Sequence, residues 1–196
     1  MNIQPVTLEG RHVRLAPLTL DHTDALSEVG LDEDLWRWIP FQVRTRDEMQ
    51  QYIQTALQWQ ADGTALPFVT TLADSAKPVG STRYMNIDKP NRKVEIGATW
   101  IAAPWQRSAV NTEAKYLMLR HAFETLGCIR VELKTDFLNQ KSRNAIQRIG
   151  AKQEGIFRNH IICASGRIRD SVYFSIIEAE WPGVKVELEK KLKASS

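Results

Sequence analysis

At Pro104 the apolar residues of the chain change their spacing. Before it, three runs are continuously apolar or alternate with period two, at 66–72, 79–87 and 94–101. Turn-forming residues fill 74–77 and 88–91, so the three runs read as an antiparallel meander. After it, Ala114, Leu117, Met118, Leu119, Ala122, Phe123 and Leu126 recur at helical spacing over 112–126, and Gly127 stops the run. A meander that feeds directly into an amphipathic helix points to a mixed α/β sheet domain.

The remaining segments extend that pattern. Residues 12–17 read as a short strand, and Asp21 caps a helix with Ala25, Leu26 and Val29 on its inner face. Leu35, Trp36, Trp38, Ile39 and Pro40 form an aromatic loop. Thr45 and Glu48 have capping-box spacing, with Met49, Tyr52, Ile53, Ala56 and Trp59 following at helical period up to Gly63. Residues 128–134 alternate as a strand with Ile129, Val131 and Leu133 on one face. A helix over 139–149 ends at Gly150. Strands near 153–162 and 168–177 share the hairpin turn Ala164-Ser165-Gly166, and a short amphipathic helix starts at Pro182. The predicted order is β-α-α-β-β-β-α-β-α-β-β. It forms one domain over 1–196, with a core at 8–181 and a C-terminal helix at 182–196.

Composition narrows the function. A chain of 196 residues makes one domain, and 43% hydrophobic with 25% charged residues is that of a globular protein. Lys and Arg outnumber Asp and Glu by 26 to 23, too mild an excess to expect a nucleic-acid partner. The two cysteines, Cys128 and Cys163, lack CxxC spacing, so neither a disulfide framework nor a metal site is expected. Cys128 packs at a strand start, and Cys163 lies exposed by a turn. The start has no basic region followed by an apolar run, and no stretch approaches the ~18 apolar residues of a membrane helix. The expectation is a cytoplasmic protein that meets no membrane.

One segment carries chemistry. The strand at 94–101 runs through Ala-Ala-Pro-Trp-Gln-Arg-Ser-Ala-Val-Asn into the helix from Thr112. Such a turn offers unpaired backbone N–H groups and the positive end of a helix dipole to an anion. Ser108 and Ala109 are small enough to let a phosphate approach, and Arg107 adds a charge-assisted contact. Any strand-to-helix turn in an α/β protein offers something similar, so the turn alone does not decide.

The order of elements resembles the GNAT superfamily of N-acetyltransferases, and within it the RimJ/RimL-like ribosomal-protein branch. Residues 8–26 (LEGRHVRLAPLTLDHTDAL) resemble the opening strand and helix of that branch. Val79-Gly80-Ser81 is similar to its central sheet, and 94–101 (VEIGATWI) to its fourth strand. Gln106-Arg107-Ser108-Ala109-Val110-Asn111 stands where the family carries its pyrophosphate loop, Gln/Arg-x-x-Gly-x-Gly/Ala. Asn139-Gln140-Lys141-Ser142 resembles its Asn-x-x-Ser motif, and 150–158 (GAKQEGIFR) its Gly-(Phe/Ala)-x-x-Glu-Gly-x-x-Arg run. The resemblance spans residues 8 to about 181. Ala109 and Asn111 depart from the family's glycine and Gly/Ala. A positive φ at 109 would cost alanine about 1–2 kcal/mol. The expectation is instead that 109 is already helical and that Asn111 caps the helix.

The resemblance implies acetyl-CoA as co-substrate and a sheet that splays open at the fourth strand. The pyrophosphate would rest on the amides of Gln106, Arg107, Ser108, Ala109, Val110 and Asn111, at the helix that starts with Thr112. The pantetheine arm would pair with Trp100, Ile101 and Ala102, and Asn139 would hydrogen-bond it. Lys141, Arg143, Arg148, Lys152 and Arg158 against Glu154 leave a positive surplus suited to the adenosine phosphates; solvated helix charges explain the same residues equally well.

Direct acetyl transfer to a primary amine needs a base for the amine, donors for the oxyanion and an acid for the thiolate. Ser142 is the first candidate acid, being placed with Asn139 on one helical face; a local cap or a CoA contact are its other readings. Tyr173 is the alternative acid, or a tethered core tyrosine. Glu95 is the first candidate base, or a surface carboxylate. His160 is the substitute base, or a structural histidine. The acceptor, a protein N-terminus or a small-molecule amine, would enter between the loop at 36–43 and the hairpin at 163–167, with Trp36, Trp38 and Phe41 as an apolar wall or as core. A non-catalytic CoA-binding sensor or interaction module is the competing reading. The tail helix at 184–192 would pack on its own domain or on a second copy.

Overall fold

The computed structural model describes residues 1–194 as a single eight-stranded sheet with helices on both faces. The strands are β1 (Leu8–Glu9), β2 (Val13–Pro17), β3 (Leu66–Leu72), β4 (Pro78–Asp88), β5 (Lys93–Ile101), β6 (Arg130–Asp136), β7 (Lys152–Ile162) and β8 (Ile168–Ile177). They lie in the order β1-β2-β3-β4-β5-β6-β8-β7. The helices are α1 (Thr23–Gly30), α2 (Glu33–Trp36), α3 (Arg46–Ala61), α4 (Ala109–Arg120), α5 (Gln140–Arg148) and α6 (Trp181–Lys193). The meander, the strand-to-helix switch and the closing hairpin are where the sequence predicts them. The two-residue β1 shifts the strand count by one, so the expected fourth strand is β5.

Every strand pair is antiparallel except β5 with β6. That parallel pairing covers only Lys93–Glu95 against Arg130–Glu132. Beyond it the two strands part. β5 also slips register against β4 between Ser81 and Arg83, and Ala98 there takes φ +46°. A bulge bends its strand, and this one stands three residues past the last β5–β6 pair. The predicted splay is therefore present.

Two apolar cores hold the sheet. On one face Val94, Ile96, Val131, Leu133 and Phe174 pack under Leu117 and Met118 of α4, Phe123 of the π-turn that follows it, and Trp181 of α6. On the other face Val69 and Trp100 meet Leu26, Trp36, Met49, Tyr52 and Ile53 from α1–α3. On that second face the β6–β8 half carries Glu132, Lys134, Tyr173 and Ser175.

Several expectations change. Asp21 does not cap α1: it lies exposed in the turn Leu20–His22, which opens at Thr19, whose N–H donates to His22 Nδ1 at 3.1 Å. Ile129 precedes β6 and is 43% exposed, because strand pairing to β5 starts one residue later. Cys163 is buried, with its Sγ beside Arg167. Helix α4 begins at Ala109, and its cap is Ser108, whose Oγ accepts from Val110 N–H at 3.3 Å. Asn111 therefore sits inside the first turn and caps nothing. The predicted helix start came from the apolar run after Thr112; Val110, one turn earlier on the same face, is also buried in the core. Helix α6 packs on its own domain, on the π-turn after α4 through stacked Trp181 and Phe123 and on α4 through a Tyr116–Glu189 hydrogen bond of 2.8 Å. The predicted C-terminal helix reached 196; Ser195 and Ser196 lie outside the described residues.

Candidate functional site

The parting of β5 and β6 opens between the N-termini of two helices. On one lip β5 ends at Ile101, and the chain turns through Ala103–Trp105 into α4. The left-handed φ of this loop falls on Arg107 (+61°), and Ala109 is helical, so alanine carries no strain there. Arg107 and Ser108 are exposed, and Ser108 Oγ also donates to Trp105 O at 2.6 Å. The loop is braced by Gln106. Its Nε2 donates to Ile101 O at 2.8 Å, and its Oε1 accepts from Lys141 Nζ across the gap. Val110 is buried, and Thr112 Oγ1 accepts from Arg148 Nη2 at 2.9 Å, which ties α5 to α4. Asn111 Oδ1 is buried without a hydrogen-bond partner among the described residues.

The other lip is the start of α5. Asn139 is its cap, its Oδ1 accepting from Ser142 N–H at 3.0 Å. The two are thus joined by a cap bond, which leaves Asn139 Nδ2 and the half-buried Ser142 hydroxyl as the groups facing other partners. Arg143 stacks on Phe137 at 4.9 Å and donates to Gln140 Oε1 at 3.3 Å. Of the predicted basic surplus, Lys141 and Arg143 stand at this lip. Lys152 is paired with Glu180 at 2.6 Å, and Arg158 lies exposed on β7.

Glu95 and the late strands build the floor. Glu95 is not a surface carboxylate: it is 1% exposed. Its Oε2 accepts from Asn86 Nδ2 at 2.8 Å and from Lys134 Nζ at 3.2 Å, while Oε1 is buried and unpartnered among the described residues. Lys134 Nζ lies 5.7 Å from the ring of Tyr173, which contacts His160 (5.7 Å) and Phe157 (4.5 Å). Burial, then the charges of Lys134 and Arg169, lower the pKa of His160, so its imidazole is neutral at pH 7. Its Nδ1 has no partner among the described residues. The structure thus brings Glu95, Tyr173 and His160 onto one face, around Lys134. Glu154, from the run at 150–158, accepts from Arg130 and Ser175, and Arg130 holds its pKa down to about 2. It is committed to a structural ion pair.

The loop at 36–43 and the hairpin meet directly. Ala164 N–H donates to Pro40 O at 2.8 Å, and Arg169 Nη1 to Trp38 O at 3.3 Å. Trp38 lies between the guanidinium groups of Arg37 (5.1 Å) and Arg167 (5.5 Å). Trp36 is buried against Phe41, Tyr52 and Trp100, with its indole N–H on Gly30 O at 2.8 Å. It is core; Trp38 is the tryptophan beside the hairpin.

Three residues escaped sequence reasoning. Lys115 of α4 is buried, with Nζ 2.6 Å from Thr99 Oγ1 and 3.3 Å from Thr82 Oγ1, and burial lowers its pKa to about 7. Glu113 accepts from the backbone N–H of Arg11, His12 and Val13 at 2.9, 2.6 and 2.8 Å, anchoring the start of β2 to α4. Arg83 of β4 is 1% exposed. The alternation of 79–87 was the available signal for Arg83: it puts residue 83 on the same face as Ser81. Cys128 is buried, and burial pushes its thiol up to about 11, so it is no nucleophile at neutral pH.

Among the described residues no group of histidine, cysteine, aspartate or glutamate is arranged to hold a metal, and no helix is long and apolar enough to cross a membrane. Residues 12–152 match the family described as the acetyltransferase (GNAT) domain. The chain is 38% identical over 106 residues to YdaF of Bacillus subtilis, provisionally named a ribosomal N-acetyltransferase. That match takes in 54% of this chain and 57% of YdaF, so the chain spans little more than half of that relative. An uncharacterized N-acetyltransferase, p20 of Bacillus licheniformis, is 24% identical over 90% of this chain and 99% of its own. A GCN5-related N-acetyltransferase from Brucella melitensis superposes with a TM-score of 0.89 at 33% identity, over 97% of this chain and 86% of that one. RimJ of Mycobacterium smegmatis, solved with CoA-disulfide, superposes with a TM-score of 0.83 at 22% identity, over 95% of each chain.

Proposed function

Because the chain belongs to the GNAT acetyltransferase family, and is by that membership an acyltransferase, we propose that it moves an acetyl group from acetyl-CoA directly to a primary amine. The observation that carries this reading is the parting of β5 from β6 between two helix N-termini. The residues fit the cofactor. The first-turn amides of α4 have no intrahelical partner, Arg107 adds an exposed cation, and Ser108 and Ala109 leave room for a diphosphate. When bound, acetyl-CoA supplies the activated thioester.

The chain's own residues would do the rest. The amides at 107–111 bind the diphosphate, and Lys141 and Arg143 face its negative charge. Asn139 Nδ2 orients the arm beside Trp100, Ile101 and Ala102. Glu95, through its unpartnered Oε1 and an intervening water, takes the proton of the amine. Its neighbour Lys134 holds the other carboxylate oxygen, Oε2, at 3.2 Å. Neutral His160 is positioned to pass that proton outward past Tyr173. The Ser142 hydroxyl, at the positive end of α5, donates to the leaving sulfur. The provisional name of YdaF, a ribosomal N-acetyltransferase, supports a protein N-terminus as acceptor; a small-molecule amine uses the same chemistry.

A thiol-release assay over peptide and amine pools tests this reading. Acetyl-CoA-dependent release with an amine is the expected result. Tight acetyl-CoA binding with no turnover on any pool would point to a non-catalytic module instead. Ser142→Ala is expected to lower kcat about 10-fold or more with acetyl-CoA affinity unchanged; lost affinity at unchanged kcat would make Ser142 a binding residue only.

A further inference from the structure

Arg83 is a buried cation outside every ion pair among the described residues. It projects from β4 to the face that carries Glu95, across the sheet from Gly97. It is 1% exposed, and no carboxylate pairs with it among the described residues. Its Nε and Nη2 are buried with no hydrogen-bond partner among them. Aromatic faces supply what contact it has: its guanidinium carbon lies 4.8 Å from the ring of Tyr52 and 5.4 Å from that of Trp59. The carboxylate that shares this face, Glu95, is engaged through Oε2 by Asn86 and Lys134, and its Oε1 makes no hydrogen bond to Arg83. An arginine does not escape burial by losing its proton, and a buried guanidinium without an anion is costly.

The position of that charge matters. The Tyr52 ring that covers Arg83 sends its hydroxyl to Ser81 Oγ at 3.3 Å and to Ala98 O, at the bulge, at 3.5 Å. Arg83 is therefore one aromatic ring from the place where β5 leaves β6. Gly97, Ala98 and Thr99 beside it are half-exposed, and Trp59 on the outer side is 37% exposed. A planar fork of N–H groups with two unsatisfied donors suits a carboxylate.

We propose that Arg83 is an anion subsite for the acceptor: the amine that this chain acetylates belongs to a molecule with a carboxylate, which seats on Nε and Nη2 between Tyr52 and Trp59. The proposal rests on the acetyltransferase reading for the word acceptor, but the subsite itself does not. Free amino acids and peptides with Asp or Glu near the N-terminus carry the same group.

Two arms test it. The first uses glutarate, a dicarboxylate with no amine, and reads the melting temperature of the full chain. Glutarate is expected to raise Tm in the wild type and not in Arg83→Met, whose apolar side chain of similar length preserves the packing. No shift in the wild type, or an equal shift in both, overturns the subsite whether or not the chain transfers acetyl. The second compares kcat/KM for amino acids against their amides, and for Asp/Glu peptides against Asn/Gln peptides. The wild type is expected to favour the carboxylate at least 10-fold in one series, which identifies the source. Arg83→Met is expected to erase that preference by raising the acceptor KM, with the KM for acetyl-CoA unchanged. A preference that survives Arg83→Met overturns the proposal. A glutarate shift with no turnover of any amine would instead count against the acetyltransferase reading alone.

Discussion

Lys115 shows how much a single buried charge weighs in this fold. Its ammonium sits among Thr82, Thr99 and the α4 core, with no carboxylate beside it among the described residues. Desolvation pulls its pKa from 10.5 to about 7. Between those two values the unfolded chain binds a proton that the folded chain releases, so stability rises as pH climbs through that window and is lowest below 7. Lys115→Met removes the penalty, and Thr82 and Thr99 still bond each other at 2.7 Å. Urea unfolding at pH 6 and pH 10 is expected to show a gain at pH 6 that shrinks at pH 10. An equal loss at both would mean that the ammonium is held by favourable contacts. Lys115 was not legible as a buried residue, and for Arg83 alternation gave only the face it shares with Ser81. Lys and Arg are almost always solvated, and a sequence does not reveal which long side chain a tertiary contact will cover.

At the scale of elements, apolar period located what packs; of the caps, the Thr45–Glu48 box was legible and the Ser108 cap was not. The meander and α4 were legible because Leu, Val and Ile repeat on one side. The true start of α4 was hidden because Ala109 and Asn111 bear no period, and the cap fell to Ser108. Ala109 is helical, as expected, and the left-handed residue of the loop is Arg107. That exposed Arg107 stands at the head of α4 leads to a salt-dependent prediction. Arg107→Glu is expected to weaken CoA binding about 10-fold at low salt and much less at 0.5 M salt, read by calorimetry. A loss independent of salt would mean that the loop's shape was altered. The short α2 carries a second prediction. Trp36 fills the core between α3 and β5, so Trp36→Ala is expected to cost about 3–5 kcal/mol of stability with the acceptor KM unchanged. A raised KM at unchanged stability would return Trp36 to the wall of the site.

The whole molecule divides its labour between the faces of one sheet. The α4–α6 face is apolar and supplies stability. On the opposite face, α1–α3 cover β2–β5, and beside them Glu95 of β5 meets the polar side chains Lys134, Tyr173 and His160 of β6, β8 and β7. Sequence alternation announced that each strand has two faces. It did not show that Glu95 would be buried and paired, because Lys134 reaches it only through the parallel β5–β6 contact, made after the long α4 crossover. The same contact, three residue pairs long, ends where the strands part, at the opening that the proposed function uses. A crystal structure grown with CoA tests that dependence most directly. The account predicts the diphosphate on the amides of 107–111 and the pantetheine arm between 96–101 of β5 and 133–136 of β6. CoA bound at another surface, with β5 and β6 zipped together beyond Glu95, would contradict it.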